Sequence, residues 1–166
     1  METAEKTVFE TLSFEERKEK ADETVKKHVY AAMGVGLVPI PVVDFVGVTG
    51  VQIDMLNKLA KFYGIPFKKD RVKNILSSLV GGLIPAGLGL PVASLLKAVP
   101  VVGTTVGALG MPIVAGASTY AVGRVFVQHF ESGGTFLSFD PGSVREHFEE
   151  EFKTGQKVAR AAADKK

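Results

Sequence analysis

The sequence predicts an all-α fold, a helical bundle with Pro/Gly-broken apolar hairpins flanked by amphipathic terminal helices. Three observations carry it. No stretch sustains the period-2 alternation of a half-buried strand, and apolar residues instead recur at helical spacing, as in Val42, Phe45, Val46, Thr49, Ile53, Leu56 and Phe62. Proline and glycine punctuate the chain at helix-length intervals. Val-rich pieces such as Val99–Val102 have strand-like composition, but each is bracketed by proline or glycine.

Residues 1–12 read as a flexible arm. Ser13-Phe14-Glu15-Glu16 fits a capping box, so a first helix opens there and runs to about Val38, where Pro39 and Pro41 stop it. A second helix begins near Pro41, since proline is tolerated in a first turn, and ends at Gly64-Ile65-Pro66, where glycine can take the left-handed cap. Asp70 is placed as the N-cap of a third helix running from Arg71 to about Ile84. A short helix over Val92–Ala98 follows the Pro85–Pro91 break. A long helix then spans about Val102 to Phe130, interrupted only by Pro112. Asp140-Pro141 reads as the start of a last helix to about Ala163, with Val144, Phe148, Phe152 and Ala159 on one stripe. The domain expectation is an arm (1–12), a helical domain (13–135), and a C-terminal amphipathic helix and tail (136–166).

Charge narrows the function. The 166 residues carry a net charge of only +2, too little to steer the chain toward nucleic acid, and no cysteine, which removes disulfides and thiolate chemistry. Residues 1–28 hold eight acids and six bases, with no apolar run of the kind a cleavable signal requires. From Asn74 to Gly123 the only charge is Lys97. Asn74–Leu96 and Ala98–Gly123 are each long enough for the ~20 residues of a membrane-spanning helix. Around Val99–Val122 the apolar residues do not keep to one stripe. A helix apolar all round is buried in protein or in lipid, and a chain of this size has little protein to offer. Lys26, Lys27 and His28 precede the first apolar run and Lys58, Lys61 and Lys68 follow it, so the positive-inside rule places both flanks, and the termini, on the cytoplasmic side. Hairpins bent at the prolines satisfy that rule. Broken backbone at membrane depth must be covered by protein, which leads to the expectation of a homo-oligomer.

The candidate residues follow from this picture. Asp44 lies in an otherwise uncharged run, where a buried carboxylate marks an ion path and one at a bend merely hydrates at the interface. Lys97 either lines a pore or snorkels to a headgroup region at a hairpin tip. Gly103-x-x-x-Gly107 and Ala117-x-x-x-Ala121 are small-residue pairs of the spacing that lets helices pack closely. Lys68, Lys69, Arg71 and Lys73 form a cluster that either contacts anionic lipid or is a solvated helix start. The histidines His28, His129 and His147 lack metal-ligand spacing, the glutamates at 146 and 149–151 read as a hydrated face, and no phosphate-loop motif is present. No catalytic residue, metal or cofactor is expected.

Val38-Pro39-Ile40-Pro41-Val42-Val43-Asp44, Phe62-Tyr63-Gly64, Lys97-Ala98-Val99-Pro100 and Thr119-Tyr120-Ala121-Val122-Gly123 with Phe130 resemble, in order, the YcjF-like family, also called domain of unknown function 697. The resemblance covers about residues 20–135 and leaves the last helix outside it. It implies a non-enzymatic membrane module that works alone or with a GTPase, which here would act in trans, and it supplies no catalytic residues. The expectation is a membrane-associated protein that self-assembles as a scaffold or pore. The alternative is a soluble or peripheral adaptor that docks a GTPase through its polar helices.

Overall fold

The computed structural model describes residues 10–38, 41–81 and 104–165, the side chains of residues 41–45, 81 and 104–109 excepted. Asp44, Gly107 and their neighbours are thus seen only as helical backbone, while Lys97, Gly103 and the expected 92–98 helix lie outside the described residues. The described chain is all-helical: α1 (Phe14–Val35), α2 (Pro41–Phe62), α3 (Lys69–Gly81), α4 (Thr104–Glu131) and α5 (Arg145–Asp164).

Local signals set most boundaries. The Ser13 capping box forms in full: the Glu16 N–H donates to Ser13 Oγ at 3.3 Å, and the Glu16 carboxylate accepts from the Ser13 N–H at 2.8 Å. At the end of α2, Gly64 takes φ 66°, and the Ile65 N–H reaches back to the Ala60 carbonyl at 2.7 Å, using carbonyls the helix leaves open. Three expectations shift. α1 stops at Val35 because the chain turns at Gly36, where a side chain would stand 3.0 Å from the Pro112 backbone. α3 already begins at Lys69, so Asp70 lies in its first turn and not at its cap. α5 begins at Arg145; Asp140 instead makes a local turn, its carboxylate accepting from the Gly142 N–H at 3.1 Å.

α4 is the axis of the molecule. α1 and α5 pack along it most extensively, α2 crosses both α1 and α4, and α3 leans on α2 and α4. Ala115, Ala117, Ser118, Thr119, Ala121, Val122, Val125, Phe126 and Val127 of α4 are all buried. This corrects the argument from an all-round apolar helix. Over that stretch four other helices supply the cover, and a central helix needs no lipid to hide every face. No described helix is long and apolar enough to cross a membrane, so the expected transmembrane helix is not found among the described residues. Of the two long apolar stretches, Asn74–Leu96 is described only through Gly81. There it is amphipathic, with Ile75, Leu76 and Leu79 buried and Asn74, Ser77 and Ser78 exposed.

Candidate functional site

The two ends of the bundle differ in kind. At one end, the start of α1 meets the ends of α2 and α4. There the buried Tyr63 hydroxyl donates to Glu131 at 2.9 Å, Arg17 pairs with the same carboxylate at 3.5 Å, and Asp22 pairs with Arg124. Burial first, then the Glu131 acceptor, holds the Tyr63 phenol above its ordinary range. Beneath these pairs lies an aromatic cluster. Phe126 stacks on Phe139 with ring centres 4.4 Å apart, and Phe136 sits edge-on to Phe130 at 5.3 Å and to Phe67 at 5.8 Å. The loop between α4 and α5 is thereby fastened to the start of α3.

The opposite end exposes several large apolar side chains. The end of α1 lies on Pro112 of α4, as the Gly36 approach shows, and Gly47 of α2 lies against the Val35 side chain. Large apolar side chains crowd outward around that junction: Leu37 is 56% exposed, Val46 65%, Val114 45% and Met111 42%. Four large apolar groups, from α2, α4 and the turn after α1, meet water together there, the kind of exposed patch that marks interaction surfaces. Residues 82–103, whose only charge is Lys97, connect α3 to α4, and α4 starts at this end.

Between the start of α3 and the α4–α5 loop lies an open cleft of about 670 Å³. Lys68, Lys69 and Arg71 line it beside Asp70, and Phe136, Leu137 and Phe139 form its other wall. Leu137 is 74% exposed on that wall. Lys68, Lys69, Arg71 and Lys73 are all exposed, and none of them enters an ion pair among the described residues. Three members of the predicted basic cluster therefore share one cavity, while Lys73 lies outside its lining. The aromatic wall was missed by the sequence reading. A signal for it exists in Phe136-Leu137-Ser138-Phe139, three large apolar residues in a stretch too short to form an element.

A second cleft, about 730 Å³, opens between α1 and α2 and is lined by Lys27, His28, Gly47, Gly50, Asp54 and Lys58, among others. His28 is buried, with Nδ1 2.7 Å from the Thr24 carbonyl and Nε2 3.0 Å from the Asp54 carboxylate. Lys58, one turn on from Asp54, reaches the same carboxylate at 2.7 Å. The bonds from Lys58 and then His28 hold Asp54 below its ordinary value. The nearby Thr24 hydroxyl donates to the Lys20 carbonyl, so it is committed to its own helix. The group is a hydrogen-bonded bridge between two helices.

Of the small-residue pairs, Ala117 and Ala121 are fully buried within the chain. Gly155 of α5 approaches Ala117 so closely that a side chain there would stand 2.8 Å from the Ala117 carbonyl oxygen. The close approach this spacing permits is made inside one molecule, between α4 and α5.

Comparison with known proteins bears on these surfaces. The family described as Domain of unknown function (DUF697) matches residues 3–155, reaching well into α5 and beyond the 20–135 stretch that carries the sequence motifs. Magnetosome membrane protein 22 of Magnetospirillum gryphiswaldense is 37% identical over 140 residues, covering 84% of this chain and 72% of that protein. No solved structure matches the chain.

Proposed function

The chain belongs to the DUF697 family, and from that premise we propose that it is a non-enzymatic, membrane-associated scaffold that meets the bilayer through the apolar end of its bundle and assembles with copies of itself. A relative 37% identical over 140 residues is named as a membrane protein. The observation that carries the reading is the shared placement of Leu37, Val46, Met111 and Val114 at one end, all exposed. Each large apolar side chain moved from water into hydrocarbon contributes roughly 1.5–3 kcal/mol, so four of them entering together favour attachment. A scaffold is favoured over a pore because the described core of α4 is enclosed by helices of its own chain, leaving that face no lumen to line.

The chain contains no cysteine, so single cysteines can be introduced and labelled cleanly. An environment-sensitive probe at Val46→Cys is expected to shift to the blue when lipid vesicles are added, and the same probe at Lys18→Cys, on the exposed start of α1, to stay unchanged. Equal spectra at both positions, or wild-type protein that remains dispersed and free of vesicles in plain buffer, would overturn the reading.

A further inference from the structure

The basic cleft and the acidic start of α5 are complementary surfaces that form no ion pair with each other among the described residues. Lys68, Lys69 and Arg71 line the cleft, and the exposed Glu146, Glu149 and Glu150 lie on the first turns of α5. None of the six enters an ion pair among the described residues. Both surfaces belong to the end of the bundle where α4 finishes and α5 begins. We propose that they bind each other between copies of this chain: the first turns of α5 from one molecule sit in the cleft of another, and Leu137 is covered at the contact.

Three features argue for a second copy as the occupant. The first is charge, since Lys68, Lys69 and Arg71 outnumber the one acid of the cleft, Asp70, and α5 presents three acids at helical spacing. Isolated surface pairs hold weakly, whereas a set of them closing over an apolar residue loses less to solvent screening. The second is the exposed Leu137 on the cleft wall, an apolar group that a purely ionic ligand would leave in water. The third is position, and it rests on the bilayer orientation proposed above. The cleft lies beside Phe126 and Phe130 of α4, about 25 Å along the helix from Met111 at 1.5 Å per residue. Charges interact over only about 8–10 Å at physiological ionic strength, so headgroups of the bilayer at the apolar end do not reach it. A neighbouring protein standing the same way does. Because each molecule carries both surfaces, a two-fold arrangement makes the contact twice.

The test uses the full chain in detergent, with mass read by light scattering. Lys68→Glu/Lys69→Glu/Arg71→Glu gives a chain whose cleft and α5 are both acidic, and Glu146→Lys/Glu149→Lys/Glu150→Lys gives one in which both are basic. Each alone is expected to associate at least tenfold more weakly than wild type, and an equimolar mixture of the two to recover wild-type mass, because each cleft then meets an α5 of opposite sign. Leu137→Asp, at an exposed position that no core contact depends on, should weaken association without touching either charged set. Wild-type mass should fall as salt is raised. The proposal is overturned if both charge variants keep wild-type mass or if their mixture fails to recover it. It is also overturned if the acidic-cleft variant keeps its mass but loses binding to phosphatidylserine vesicles, which would make the cleft a lipid site. The probe at Val46 reports membrane contact independently: a blue shift with unchanged mass rejects this interface alone, and its absence rejects the orientation on which the interface rests.

Discussion

At the scale of single residues, the described core is held in register by a few polar groups whose partners lie far away in sequence. Gln52 is buried on α2, and its amide donates to Ser118 at 3.0 Å and Thr119 at 3.3 Å on α4. Truncating it leaves two enclosed hydroxyls without their donor and opens a gap at the seam. Gln52→Ala should lower the unfolding free energy by about 1–3 kcal/mol in urea titration. A loss near zero would show that the seam does not depend on the amide. Asp54 gives a pH signature. Its folded value is depressed by Lys58 and His28, so the stability it contributes is present above its ordinary value of 3.8 and is lost as pH falls through the lower folded value. Melting temperatures followed from about pH 6 to pH 3 should fall more steeply for wild type than for Asp54→Asn; parallel curves would dismiss the bridge. Asp54 is half exposed, so the difference is small. Of these contacts only the Asp54–Lys58 pair has a local spacing, i+4, that a sequence can show; no pattern in a single chain joins residue 52 to residue 118.

At the scale of elements, capping and breaking were readable and enclosure was not. Ser13 and Gly64 act where they stand, through bonds to residues three to five positions away, so four-letter motifs were enough to find them. α4 shows the opposite case. Its hydropathy said that every face must be covered, and the same demand is met by acyl chains or by four neighbouring helices. What decides between them is the shape of the partners, and Gly155 supplies part of it. Without a side chain there, α5 comes down onto the α4 backbone. Gly155→Ala should push the helices apart and cost about 1–3 kcal/mol, despite alanine's better helix propensity. A stabilised variant in thermal denaturation would mean the contact is looser than the structure has it.

At the scale of the whole molecule, the basic cluster was visible as a charge run, but its cleft needed the loop after α4. Phe136 and Phe139 lie more than sixty residues from Lys69 and are drawn to it through Phe126, Phe130 and Phe67. The sequence also placed uncharged chain in the middle and charge at the termini, which reads as a linear order. Folding turns that order into a spatial one, because α1, α2, α4 and α5 each run the length of the bundle. The Arg17–Glu131 and Asp22–Arg124 pairs gather at one pole, and the exposed Leu37, Val46, Met111 and Val114 at the other, beside the charged end of α5 at Arg160 and Asp164.

In the orientation proposed above, the exposed apolar end gives the protein the build of a surfactant. A body with a greasy foot and an ionic crown aligns at any oil–water boundary before a particular lipid is recognised, with its long axis along the normal. Spread on a lipid monolayer, such molecules occupy little more than the cross-section of a helix bundle each, so surface pressure climbs with the number adsorbed and levels off once their crowns touch.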